Sequence, residues 1–494
     1  MYRDVPTIVL LAVLVAAGGC ATDRLHHAAG NRGTSEAVAT EKGRITNNGQ
    51  GVDSDSSEMR LASHQEETSP PHAHIELVPP PVIAAESPEQ LTLDDVEGMA
   101  MASNPTLVQA TAQVRAARAA AYQAGLYPNP IVGYEGEYDS IGPGPDETWN
   151  GGFIAQELVT GGKLRLSRAK WAQRSRIAET NLHAQQHRVM NDVRAQFYRT
   201  LAAQQLVEVS REFLANGEDN LQTNREMLNL GQMNQSGLLR AEVDLQRDRL
   251  ALKQAEYELD HAWRTLTSLV GIPELARTSL TGSLEPHEAP LDWDSALHQV
   301  LSCSPELQAA WQKIRHDEIT IQRERAEPIP NLIASVTSIR SPVADTTQTT
   351  FNLGLRLPVF DRNQGTISQA RADLMQSSAE ARRLELELRT RLATQYRIYQ
   401  TAWQKVQDYE TTMLPKAKQS YDLLHESYKN RRAAWPDVLM AQRLYLTLKA
   451  EQVGNLTMYR ESDVAIRGML LNGGLSIPPG PVGAGHIDAV PKPR

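Results

Sequence analysis

At about 150 residues per domain, a chain of 494 residues would divide into roughly three domains, and its composition, 41% hydrophobic, 22% charged and only 5% aromatic, is typical of long helices rather than of β-rich or α/β enzymes. A formal net charge of −9 argues against electrostatic binding to nucleic acid, which needs concentrated Lys and Arg to displace phosphate counterions. Mean hydropathy is −0.42 and no run of about 18 apolar residues follows the N-terminal segment, so a membrane role requires strands or an anchor.

Residues 1–20, MYRDVPTIVLLAVLVAAGGC, combine an early Arg, an apolar run from Ile8 to Ala17 and small residues before Cys20. The run is too short to span a bilayer and has the form of an export signal. Ala17-Gly18-Gly19-Cys20 resembles a bacterial lipoprotein signal, which implies acylation of Cys20, and Ala21 in place of Asp implies sorting to the outer membrane. Residues 21–88 are rich in Ser, Thr, Glu, Gly, His and Pro and read as a disordered tether. His64, His72 and His74 within it have no cage of Cys or carboxylate and read as solvated. The tail 473–494, with IPPGPVGAG, reads as a second disordered end. Cys303, in LHQVLSCSPEL, reads as a small buried apolar residue with no disulfide to Cys20.

Between the two ends the chain repeats itself. Leu91-x-Leu93-Asp94 recurs as Leu291-x-Trp293-Asp294, Asn104-Pro105-Thr106-Leu107 as Ser304-Pro305-Glu306-Leu307, Pro128-x-Pro130 as Pro328-x-Pro330, and Leu238-Leu239-Arg240-Ala241 as Val438-Leu439-Met440-Ala441, always 200 apart. Two copies of one unit, 91–280 and 291–472, follow. Each opens on a helical stretch in which Pro105 or Pro305 starts a new segment and Pro128 or Pro328 stops it. Period-two alternation comes next. Val132, Tyr134 and Tyr138 oppose Glu135 and Glu137, and Trp149, Phe153 and Ala155 continue the apolar set. In the second copy Leu332, Ala334, Val336, Phe351, Leu353, Leu355 and Leu357 oppose Asn352, Gly354 and Arg356. Each unit therefore contributes one β-hairpin with an apolar and a polar face.

Residues 163–216 contain neither Gly nor Pro, and the helical pattern runs on past Gly217 to Leu230, a rod of roughly 100 Å at 1.5 Å per residue. Its counterpart runs from Thr366 past Pro415, and Gly217 and Pro415 suggest a bend at the same level. A turn follows at 231–237 or 431–436, and the chain returns as helix. On the first return Leu238, Leu245, Leu252, Leu259 and Leu266 stand seven apart, with Ala241, Ala255, Ala262 and Leu269 interleaved, a coiled-coil seam. Asp248 interrupts it, as polar register control or a solvated edge. No compact core is expected, because each unit would bury its seam against its twin and neighbouring chains. Four strands of about 10 residues can cross a bilayer, but four cannot close a barrel and lipid tolerates no open edge. Strands in a membrane would thus be shared between chains; otherwise they form a small periplasmic sheet.

Duplicated units, a hairpin after a Pro stop and long helices turning at a tip resemble the outer-membrane factor family typified by TolC. Leu228-Asn229-Leu230-Gly231 before Leu238-Leu239-x-Ala241 is similar to that family's helix-tip turn, and Pro358-Val359-Phe360-Asp361-Arg362-Asn363-Gln364-Gly365 to a segment of its heavy-metal branch, the CzcC and CusC type. The resemblance implies a mainly α fold with a small β part, a homotrimer with one 12-stranded β-barrel in outer-membrane lipid, and an α-helical barrel in the periplasm. It implies as partners a periplasmic adaptor and an inner-membrane pump of the RND type. At the tip it implies adaptor contact through Leu230, Gly231, Gln232, Arg431 and Arg432, and a constriction at Asp437, an Asp that would otherwise be a helix N-terminal residue stabilised by the dipole. Arg431 stands where the first tip has Gly231, which alters any contact that requires Gly.

Phosphate-cradling loops, HExxH and zinc-spaced Cys pairs are absent from the sequence, so no enzyme and no cofactor is expected. Glu179, His183 and His187 at four-residue steps are the one metal candidate, against a solvated or interhelical stripe. The function expected is a passive exit duct for efflux, with heavy-metal cations as cargo. Drugs or organic compounds are the alternative cargo, and a periplasmic adaptor or a structural coiled-coil lipoprotein the alternative roles.

Overall fold

The computed structural model describes residues 90–139, 147–286, 290–343 and 345–480, all within one unit, Val78–Arg494. Cys20 and the expected tether lie outside the described residues. In chain order the elements are β1 Gln90–Leu91, α1 Leu93–Ser103, α2 Pro105–Gln123, β2 Ile131–Asp139, β3 Glu147–Leu158, α3 Lys163–Asn229, α4 Gln235–Val270, β4 Ser279–Leu280, α5 Trp293–Cys303, α6 Pro305–Ala326, β5 Leu332–Ser341, β6 Thr346–Leu355, α7 Gln364–Asp408, a π turn Tyr409–Met413, α8 Leu414–Lys429 and α9 Trp435–Arg467. The spacing of 200 holds for the starts of α1 and α5, α2 and α6, and α4 and α9.

Local chemistry sets these boundaries. Thr92 and Asp95 form a capping box on α1, Asp292 caps α5, and Asn104 and Ser304 cap α2 and α6, each followed by Pro at the first helical position, where its missing N–H leaves no orphan. α3 runs 67 residues, about 100 Å, straight through Gly217. A Cβ there would lie 2.7 Å from Asp248 Oδ2, so glycine serves a close approach of α3 and α4. The second copy differs. Pro415 cannot donate and its ring would strike the carbonyl four residues back, and the chain widens to the π turn, with the Leu414 N–H donating to the Tyr409 carbonyl.

Among the described residues no helix is long and apolar enough to cross a membrane. Along α4, Leu245 and Leu259 are buried with Ala241, Ala255 and Ala262, against Leu221, Ala203 and Val207 of α3. A larger core joins the two repeats: Val193, Phe197 and Leu201 of α3 pack with Leu388, Leu392 and Tyr399 of α7, Tyr459 and Ile466 of α9, and Leu91 and Leu280 of the short parallel β1–β4 pair. This core is the burial of each repeat against its twin. Cys303 is exposed rather than buried, because Ala296 and Val300 form the buried face of α5 and the cap Ser304 takes the next position inward.

Residues 473–480, expected within a disordered end, lie along α2 and α3. Asn191 Nδ2 donates to the Gly468 and Leu471 carbonyls at 2.8 Å, Asp192 Oδ2 accepts from the Gly473 and Gly474 N–H at 3.1 and 2.7 Å, and Gln185 Nε2 and Thr106 Oγ1 both donate to the Gly474 carbonyl at 2.9 Å.

Candidate functional site

The two hairpins join into one antiparallel sheet of order β2-β3-β5-β6, so β2 and β6 remain open edges. Residues opposite one another in register share a face. Val132 pairs with Ile154, Ile154 with Val336 and Val336 with Phe351; Leu158 pairs with Leu332 and Leu332 with Leu355. These residues, with Tyr134 and Leu353, make one apolar face, on which Tyr134 is 74% and Phe351 76% exposed. Exposed rows of this size on a single face are an interface in want of a partner.

The opposite face carries Glu135, Glu137 and Glu157 with Ser335, Thr337, Thr350, Asn352 and Gln348. It also carries Trp149, Phe153 and Ala155, paired with Glu137, Gly133 and Ile131. That reverses the alternation expected for β3, whose apolar residues are Ile154 and Leu158. A shift of one residue exchanges faces, and Phe153 is accommodated on the polar side because its ring covers Gly133, where a Cβ would lie 2.4 Å from it. Among the described strand residues the polar face has no Lys, Arg or His; Arg340 pairs with Asn150 on the other face and binds Asp345.

At the far ends of the long helices the two turns match bond for bond. The Gly231 N–H donates to the Leu228 carbonyl at 3.0 Å and the Gln232 N–H to Met227 at 2.8 Å; Arg431 donates to Tyr428 at 2.9 Å and Arg432 to Ser427 at 2.8 Å. Both are Schellman closures that need a left-handed residue, supplied by Gly231 at φ 68° and by Arg431 at φ 59°. Leu230, Gly231, Gln232, Arg431 and Arg432 are all exposed. Asn234 caps α4 by accepting from the Gly237 N–H at 3.0 Å. Ala434 cannot do this for α9, whose first turn instead holds Pro436 and the exposed Asp437. Trp435 packs against Tyr428, with ring centroids 4.9 Å apart, and its Nε1 donates to Asn220 Oδ1 at 3.2 Å, tying the second tip to α3.

Asp248 is neither at a solvated edge nor free. It is buried between α3, α4 and α9, with Oδ2 3.4 Å from Arg443 Nη2, and Arg443 also reaches Asp244 at 4.0 Å. Burial pushes its carboxyl pKa above 3.8, more than Arg443 pulls it down, and Asp244 adds to the rise. An acid whose native pKa is raised costs stability above that value, and the cost is gone below the unfolded value. Asp248→Asn should therefore equal or exceed the wild type by up to about 1 kcal/mol near pH 7, with the gap closing toward pH 4. Denaturation midpoints at the two pH values check this, and a large loss at neutral pH contradicts it.

The stripe on α3 is engaged piecemeal. Glu179 accepts from Arg118 at 2.7 Å, and His183 Nδ1 lies 3.1 Å from Gln186 Oε1. Burial, with the neighbouring His183 and Arg194, holds the His187 ring below its usual pKa of 6.5. Among the described residues no three His, Cys, Asp or Glu side chains come together as a metal site.

The family model for outer membrane efflux protein matches residues 97–272 and again 296–470. The chain belongs to the outer membrane efflux protein family. The cobalt-zinc-cadmium resistance protein CzcC of Cupriavidus metallidurans is 26% identical over 391 residues, spanning 76% of this chain and 89% of CzcC. Among solved structures, the fold is similar to that of CusC, with TM-score 0.62 and 17% identity over 77% of this chain and 92% of CusC. It is similar also to the outer membrane protein VceC of Vibrio cholerae, with TM-score 0.62 and 15% identity over 77% and 96%.

Proposed function

We propose that the protein is the exit duct of a tripartite efflux system: a homotrimer whose three sheets close one 12-stranded barrel in the outer membrane. Its helix tips engage a periplasmic adaptor and, through it, an inner-membrane RND pump. The observation that carries this reading is the sheet itself. Four strands leave two open edges and an exposed apolar face, and both are satisfied if β2 of one copy pairs with β6 of the next and the apolar face meets lipid. The repeats 91–280 and 291–472 each supply one hairpin and one helix pair, acylated Cys20 anchors the chain, and three copies of Asp437 line the tip constriction. The duct performs no chemistry of its own.

Heavy-metal cations are the cargo this reading favours. The polar face, turned to the lumen, presents Glu135, Glu137 and Glu157 and, among the described strand residues, no base, a lining that concentrates cations. The likeness to CzcC points the same way. Replacing Glu135, Glu137 and Glu157 by Gln should lower the cation-to-anion permeability ratio several-fold, read as a shift of reversal potential across a salt gradient. An unchanged potential removes the role of the lining. Trp149 and Phe153 on the same face offer rings to organic cations and favour drugs as a second cargo class. Deletion of the gene separates the two: sensitivity to Zn²⁺, Co²⁺ or Cd²⁺ supports metals, and sensitivity to cationic drugs alone overturns them.

A further inference from the structure

The two helix tips share a backbone but not a charge. Residues 229–234 read Asn-Leu-Gly-Gln-Met-Asn, neutral, with Leu230 72% exposed. Residues 429–434 read Lys-Asn-Arg-Arg-Ala-Ala, with three exposed bases and no acid. Among the described residues none of Lys429, Arg431 and Arg432 forms an ion pair, and the nearest acids of that hairpin, Glu426 and Asp437, belong to the helices rather than the turn.

Local stability does not call for these bases. The first tip closes the same turn with none, and the helix dipole accounts for Lys429, the last residue of α8, at most. Arg431 is the telling position. It holds φ 59°, where a Cβ costs about 1 kcal/mol relative to glycine, while its counterpart is Gly231. A strained, exposed cation at the outermost point of a rod gains nothing within its own chain.

We propose that the second tip is a basic docking point for a partner helical hairpin whose end carries carboxylates, while the first tip docks through the apolar Leu230. This rests on the duct reading, in which the tips are the assembly face. Guanidinium groups pair carboxylates through two parallel hydrogen bonds, so Arg431 and Arg432 select an acidic end and speed its approach. Each chain thereby presents two chemically distinct contacts in alternation around the tip, which sets the rotational register of the partner ring.

The test uses the full-length protein in detergent and synthetic two-helix hairpins whose turn carries three Glu, three Gln or three Lys. The Glu hairpin should bind about tenfold more tightly than the Gln hairpin at low salt, and the Lys hairpin more weakly than either. The preference should vanish in Lys429→Gln/Arg431→Gly/Arg432→Gln and near 1 M salt, and persist in Leu230→Ala. Equal binding of Glu and Gln hairpins, a preference that survives the triple substitution, no binding of any hairpin, or equally tight capture of anionic lipid vesicles overturns the proposal. Conductance of the same preparations in planar bilayers reports the duct separately: conduction without tip preference defeats this inference alone, and tip preference without conduction defeats the duct alone.

Discussion

Gly151→Ala is expected to prevent the sheet from forming. Gly151 lies in β3, paired with Glu135 of β2 on one side and Ile339 of β5 on the other. A Cβ there would lie 1.9 Å from the Ser338 carbonyl oxygen and 2.5 Å from the Ile339 Cα. Neither is the end of a flexible side chain, and a strand laddered on both sides cannot retreat from one neighbour without losing the other. The cost is of the class that exceeds about 4 kcal/mol. Gly152→Ala is the control, because its Cβ would meet only the Gly133 carbonyl, at 3.6 Å. Outer-membrane fractions probed for folded, heat-modifiable protein should hold Gly152→Ala and lack Gly151→Ala. Equal amounts of both would place β3 in the wrong register.

Arg460→Met should be the most damaging substitution away from the sheet. Arg460 is buried in α9, with Nε donating to the Leu284 carbonyl at 3.0 Å and Nη2 to Ser283 at 3.2 Å and to Glu285. Its guanidinium also lies 5.0 Å from the centre of the Tyr198 ring on α3. One side chain thus fixes the linker between the repeats to the core that joins them. Met fills similar volume but leaves those carbonyls without their donor, a loss of about 3 kcal/mol. Lys restores a charge without the fork and should recover about half. Urea midpoints and the rate of proteolytic nicking within 281–290 measure both, and a wild-type midpoint for Arg460→Met would show that the linker is held elsewhere.

What the sequence reveals here follows the range of each interaction. Helix starts are legible because caps are local: Asn104-Pro105 and Ser304-Pro305 act within one turn. Repeats are legible because identical offsets need no structure. The face of β3 is not, because Trp149 and Phe153 look apolar one residue at a time, and only pairing with Gly133 and Glu137 assigns them to the polar side. The left-handed turn is visible at Gly231 but hidden at Arg431, where no glycine announces it. Asp248 could not be read either, since Arg443 is 195 residues away. Residues 473–480 resemble a loose end because Asp192, Gln185 and Thr106 hold their backbone rather than their side chains, and no composition records that. Among the candidate site residues, Leu230, Gly231, Gln232, Arg431, Arg432 and Asp437 are named by resemblance alone, and the structure adds that all six are exposed. Glu135 and Glu137 are legible on the polar face from alternation, whereas Glu157 joins them only through the register of β3.

Closure of one barrel by three copies is tested most directly on the purified protein, by measuring its mass in detergent and its conductance in a planar bilayer from one preparation. A protein mass three times that of a single chain, with steady single-channel current, is the predicted result. A monodisperse single chain that carries no current contradicts it.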